Sequence, residues 1–115
     1  MAVTIVATLG VTGQAGSDNS HFNWPVDVEM DASGNIYVAD TLNRRVQIFN
    51  RNRVWQMTLG KTGEWSDDFN HFNDPTGVAV DARDNIYVAA NRNPFTWRIG
   101  IIPLLWHWEI CHLRV

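Results

Sequence analysis

The chain has 115 residues, of which 45% are hydrophobic and 18% are charged, so it has the size of one ordinary domain and is too apolar to be disordered. Its net charge of −3 gives no overall attraction to nucleic acid or to an anionic membrane. Cys111 is the only cysteine, which excludes an intrachain disulfide and leaves the compartment unknown.

The N-terminus carries no basic region and no long apolar run, so we expect a strand over 4–9 rather than a signal peptide. No segment reaches the roughly 20 apolar residues of a membrane-spanning helix. We therefore expect no membrane partner.

A stretch of the chain occurs twice, fifty residues apart. The repeated elements are Thr8-Leu9-Gly10, His21-Phe22-Asn23, Pro25, Asp31-Ala32 and Asn35-Ile36-Tyr37-Val38-Ala39, which return as Thr58-Leu59-Gly60, His71-Phe72-Asn73, Pro75, Asp81-Ala82 and Asn85-Ile86-Tyr87-Val88-Ala89. A fixed period of this size predicts one supersecondary unit stacked against its own copies, as in a solenoid or a propeller.

The first copy has the pattern of four short strands. Val26, Val28 and Met30 alternate with two acidic residues, which is typical of a half-buried strand. A turn rich in Asp, Gly and Asn follows, and the next run is apolar enough for a central strand. The predicted strands are 26–30, 36–39, 45–49 and 54–59. Four antiparallel strands with short turns make one propeller blade.

The second copy starts in the same way, with predicted strands over 76–80 and 85–89. Residues 4–9 align with 54–59 and are predicted to be the outer strand of a preceding blade. The predicted fold is all-β: an incomplete propeller of two four-stranded antiparallel blades plus this strand. The predicted boundaries are 1–20 for that strand and its connection, 21–60 and 61–95 for the two blades (the second incomplete), and 96–115 for a divergent tail.

The first copy resembles an NHL repeat. The motif runs Phe22-x-x-Pro25-x-Asp27-Val28-x-x-Asp31-x-x-Gly34-Asn35-Ile36-Tyr37-Val38-Ala39-Asp40-Thr41-x-Asn43-x-Arg45-Val46-Gln47-x-Phe49, and the second copy follows it as far as Ala89. The resemblance implies a six-bladed β-propeller that serves as a scaffold for protein or RNA recognition or as a sensor. The family that the repeat resembles also includes one enzymatic branch, the peptidyl-hydroxyglycine lyases, and lactonase-like propellers are its distant relatives.

Most polar residues of the motif are predicted to be structural. Asp31 and Asp81 suit turn caps, Asn43 a turn former, and Arg45 a strand-end residue that packs against the neighbouring blade.

The motif fails after Ala89. Residues 98–102 fit a displaced third strand and 104–113 a fourth, but the abrupt loss of register favours a frameshifted or truncated reading frame. Two blades cannot close a ring, so the chain is a fragment of a longer propeller, a unit that self-assembles into a ring such as a trimer, or unstable alone.

Three groups of residues have side chains of the types that bind metals. His21 and His71 hold equivalent repeat positions. A hydrogen bond from each histidine to the backbone at the start of its blade explains them better than a ring of metal ligands does. The tail residues suit zinc in type but match no standard spacing; they are His107, Glu109, Cys111 and His112. The segment 81–85 is acidic, yet it lacks the alternate ligands of a calcium loop and is predicted to be a β-turn. No metal or cofactor is expected.

One basic cluster is the candidate ligand-binding site: Arg44, Arg51 and Arg53, with Arg45 and Trp55 nearby. RNA-binding NHL domains combine such charges with aromatic residues, as the resemblance implies. The strand 45–49 should nevertheless place the two pairs of arginines at opposite ends of the blade, so RNA binding is not indicated.

An enzyme is not favoured. In the lyase branch the metal-binding histidine directly follows the proline of the repeat, where this chain has Val26 and Thr76. No catalytic residues are identified. We expect a non-catalytic scaffold for a protein or small ligand; the alternatives are a fragment of a metal-dependent propeller enzyme and an RNA-binding module.

Overall fold

The computed structural model describes residues 3–66, 71–93 and 96–103. These residues form two antiparallel sheets. The first sheet contains four strands in chain order: β1 Pro25–Met30, β2 Ile36–Asp40, β3 Arg45–Phe49 and β4 Trp55–Gly60. The second contains β5 Asn73–Val80, β6 Asn85–Asn93 and β7 Thr96–Pro103. A 3₁₀ turn at Thr41–Asn43 joins β2 to β3.

The all-β fold with a four-stranded, blade-like first sheet is confirmed. Its strands begin and end within one residue of the predicted bounds because turn residues interrupt each period-two run. β5 begins three residues before the predicted strand, and it includes Pro75 at a register shift where the ladder is interrupted. Among the described residues, no helix is long and apolar enough to cross a membrane.

The two sheets bury one apolar core between them. The first sheet contributes its contact face, which comprises Tyr37, Ala39, Val46, Ile48, Met57 and Leu59. The second sheet contributes its own contact face, which comprises Val78, Val80, Ile86, Val88 and Ala90, with Phe72 at the edge. Neighbouring strands pair these residues in register, so each set lies on one side of its sheet.

β1 alternates as predicted, but its apolar side chains are the exposed ones. Val28 is 63% and Met30 59% exposed. The opposite side of β1 meets the second sheet, where the backbone N–H of Val78 donates to Asp27 Oδ2 at 2.9 Å. Thr41 Oγ1 adds a second bond between the sheets, donating to the carbonyl of Pro75 at 2.6 Å.

β7 is the displaced third strand that the tail pattern allowed, extended to Thr96–Pro103. Asp40 pairs with Arg45, five residues on, whereas Ala90 pairs with Arg98, eight residues on. Paired residues of β6 and β7 are therefore three residues further apart along the chain than the equivalent pairs of β2 and β3. The predicted fourth strand over 104–113 lies outside the described residues.

Residues 3–8 form no strand here, and their assignment to the outer edge of a preceding blade stays a prediction, as do the predicted domain boundaries. Gly10 and its repeat equivalent Gly60 make the same kind of close approach. A Cβ on Gly10 would stand 2.9 Å from Phe22 Cδ2, and one on Gly60 2.8 Å from Phe72 Cδ2. Both positions have a positive φ, so the same close approach favours glycine in both copies.

Candidate functional site

Two polar clusters lie at opposite ends of the first sheet. The first is the turn between β1 and β2, which Asp31 organises. Its Oδ1 accepts from the backbone N–H groups of Ser33 and Asn35, both at 2.9 Å. Its Oδ2 accepts from Asn35 Nδ2 at 2.8 Å and from the Tyr37 hydroxyl at 2.7 Å.

The second sheet repeats this turn. Asp81 accepts from the backbone of Arg83 and Asn85, from Asn85 Nδ2 at 3.0 Å and from the Tyr87 hydroxyl at 3.0 Å. The predicted turn caps are confirmed. The segment 81–85 is a turn, as predicted, and these donors occupy the carboxylate of Asp81, its first residue.

These bonds shift the pKa values of the aspartates in both turns. The side chain of Asn85, its backbone N–H and further donors lower the pKa of Asp81 to about 2. Partial burial opposes ionisation of Asp31, yet the hydrogen bonds from Tyr37 and Asn35 outweigh it and lower its pKa. Burial, then the hydrogen bond to Asp31 and the charges of Asp31 and Asp84, raises the pKa of Tyr37. Each carboxylate is thus held as an anion that accepts.

The second cluster, at the other end, is a buried charge network around Arg45. Arg45 is 1% exposed, and its Nε donates to Asp40 Oδ2 at 2.8 Å. Asn43 Nδ2 donates to the same oxygen, while Asp40 Oδ1 accepts from the backbone N–H of Asn23. A carboxylate and a guanidinium buried together are each satisfied here by a partner.

The remaining bonds of Arg45 reach the connecting segments. Its Nη1 and Nη2 donate to the carbonyls of Ser17, Asp18 and His21 at 2.8–2.9 Å, and Nη1 also donates to Thr62 Oγ1 at 3.3 Å. These contacts use the five-donor fork of the guanidinium. Arg45 is structural, as predicted. These hydrogen bonds join it to the connections before and after the first sheet, and its predicted packing against the neighbouring blade stays a prediction.

The candidate arginines occupy different ends. Arg44 follows the 3₁₀ turn in the left-handed conformation and is half-buried. Arg51 and Arg53 are exposed in the turn after β3, which Asn50 caps. The Cβ of Arg51 lies 3.1 Å from the position of a Cβ on Gly34. The turns of Arg51 and Asp31 therefore share one end of the sheet, and β3 separates them from Arg44.

The two histidines pair with carboxylates. His21 Nδ1 lies 2.7 Å from Asp18 Oδ1, and this hydrogen bond lowers the pKa of Asp18. His71 Nε2 lies 3.8 Å from Glu64 Oε1. Within the described ranges, no three His, Cys, Asp or Glu side chains are grouped to hold a metal. His107, Glu109, Cys111 and His112 lie outside those ranges.

Residues 22–49 match the family model of the NHL repeat, so the chain carries an NHL repeat that spans β1 to β3. A comparison with curated proteins found no match. The strand order and the hydrogen-bonded turn that this repeat forms also occur in the second sheet, outside the matched residues.

Proposed function

We propose that this chain is a non-catalytic interaction scaffold, whose ligand binds at the end of the first sheet that carries Arg51 and Arg53. The observation behind the proposal is that the aspartates of the repeats already have hydrogen-bond partners within the fold. The carboxylates of Asp31, Asp40 and Asp81 each accept at least three hydrogen bonds from their own turn or network. Groups committed in this way hold loops in place and present others for binding.

Arg51 and Arg53 are the groups that this framework presents. Both are exposed in one turn, and Arg83 is exposed in the repeated turn of the second sheet. Arginines on a rigidly capped turn are suited to a carboxylate-bearing ligand because the guanidinium donates to it in a fixed geometry. An acidic segment of a protein is the partner class that this chemistry favours.

The proposal is tested by direct binding of a fluorescent poly-glutamate peptide to the full chain. Arg51→Glu with Arg53→Glu should weaken binding at least tenfold. Arg44→Glu with Lys61→Glu, a charge reversal of the same size at the opposite end, where Lys61 is exposed just after β4, should change it less than twofold. Equal losses in both variants would show that net charge alone binds the peptide and would refute the site.

The catalytic alternative has a separate readout. Turnover of a peptidyl-hydroxyglycine or a lactone that disappears on chelation would overturn the non-catalytic assignment. Binding of single-stranded RNA that weakens steeply with salt would identify an RNA module instead.

A further inference from the structure

The part of the chain that the structure describes contains one sheet-to-sheet interface, and residues equivalent to each side of that interface are partly or largely exposed. Val78 and Val88 on the second sheet's contact face are 6% and 0% exposed. Their equivalents fifty residues earlier are Val28 and Val38. Val28 is 63% exposed, and Met30, the equivalent of Val80, is 59% exposed. We call Val26, Val28 and Met30 the open face of the first sheet; Val38 lies on the same side but is only 6% exposed.

The second sheet has the opposite surplus. Tyr37 and Ala39 are 0% exposed because the second sheet covers them. Their equivalents Tyr87 and Ala89 lie only half-buried, in a shallow groove of about 270 Å³ that Gly77 and Ala79 also line. We call Gly77, Ala79, Tyr87 and Ala89 the open face of the second sheet. The open face of the second sheet is therefore the repeat equivalent of the first sheet's contact face. The open face of the first sheet is the repeat equivalent of the second sheet's contact face.

The N-terminal segment already occupies part of the first open face. Leu9 lines a groove of about 450 Å³ together with Phe22, Pro25 and residues of β1 and β2. Leu59, its repeat equivalent, packs beside Phe72 in the core and is 1% exposed. Leu9 therefore lies against the first sheet in the way that its equivalent, Leu59, lies against the second sheet. The residues before it are open: Val3, Ile5 and Val6 are 94%, 81% and 91% exposed.

We propose that copies of this chain stack head to tail, with the open face of the second sheet in one copy covering the open face of the first sheet in the next. The occupant is a second copy because the chain's own second sheet carries Tyr87 and Ala89, the equivalents of the two residues that cover this position inside the molecule. The contact joins two different patches, so it is heterologous and builds a ring or an open filament rather than a twofold dimer.

The test measures the mass of the full chain by light scattering and sedimentation velocity. The wild type should form oligomers larger than a dimer. Val28→Glu and Ala89→Glu, which place a charge on either open face, should each be monomeric. An equimolar mixture of the two variants should give a dimer that does not grow, because each variant retains the face that the other has lost.

One matched variant controls for charge and folding. Val54→Glu changes a residue of similar exposure, 56%, in the turn before β4. It should keep the wild-type mass, and circular dichroism should show the same sheet content in every variant.

Three results would overturn the proposal. They are a monomeric wild type, a dimer that Val28→Glu breaks and Ala89→Glu leaves intact, and a mixture of the two variants that stays monomeric although both are folded. The second result would indicate a twofold contact through the first sheet alone.

Discussion

The two repeats are alike at one end of their sheets and different at the other. Asp31 and Asp81 make the same set of hydrogen bonds in their turns, down to the tyrosine hydroxyl six residues on. At the opposite end, the first sheet has the buried pair Asp40 and Arg45, and the second has Ala90 at the position of Asp40. Local turn chemistry has thus persisted where a long-range charge network has not.

The difference has a structural consequence in the β2–β3 and β6–β7 hairpins. Asp40 is the last residue of β2, and its carboxylate is held by groups beyond the strand. The chain must therefore turn there to bring Arg45 back to it. Ala90 imposes no such turn, and β6 continues to Asn93. We infer that the buried ionic network sets where this hairpin ends, a specificity role that such networks have in some proteins.

Removing one partner of the network should have the largest effect. Arg45→Met is expected to lower the free energy of unfolding by about 3–5 kcal/mol, since it leaves the buried Asp40 carboxylate without its cation. Urea denaturation followed by circular dichroism measures the change. A cost below about 1 kcal/mol would contradict the role given to the network.

The control for this prediction makes the first repeat resemble the second. Asp40→Ala combined with Arg45→Met removes both charges, so the double variant should be more stable than Arg45→Met alone. It should not recover the wild-type value, because the carbonyls of Ser17, Asp18 and His21 still lose their donor.

The second prediction compares equivalent leucines on the two sides of the first sheet. Leu59→Ala should cost about 2–5 kcal/mol because the side chain is buried in the core between the sheets. Leu9→Ala should cost about 1 kcal/mol, since Leu9 is only half-buried on the open face. Thermal and urea unfolding of both variants, measured under conditions where the chain is monomeric, checks the ratio. Equal costs would mean that the open face is covered.

The sequence predicted what depends on neighbours along the chain. The four strands of the first sheet and their turns follow from alternation and from Asp, Gly and Asn at fixed places, and these contacts span few residues. The backbone carbonyls that accept from Arg45 lie 24 to 28 residues before it. Nothing in the local pattern brings those carbonyls to the guanidinium, so its binding to the connection could not be predicted.

The local sequence pattern could not predict that the apolar face of β1 is exposed, for another reason. Alternation shows that a strand has one apolar face, but it does not show whether another sheet covers that face. Val28 and Val78 have the same pattern and differ in exposure because the second sheet lies on only one side of the first. The placement of Arg44 apart from Arg51 did follow from the sequence, since a strand between two turns must separate them.

The smallest expected effect tests the end where the repeats agree. The carboxyl of Asp81 ionises with a pKa of about 2 in the folded chain, against an ordinary value of 3.8. As the pH falls, the unfolded chain binds the proton first, so the stabilisation is complete above pH 3.8 and is lost as the pH falls towards 2. Asp31, whose pKa is also lowered, should act in the same direction.

Unfolding measured between pH 5 and 2 should show stability falling with pH, less steeply in Asp81→Asn and in Asp31→Asn than in the wild type. Because both turns make the same bonds, the two variants should flatten the profile in the same sense; a change in only one of them would show that the turns are alike in geometry but not in energy.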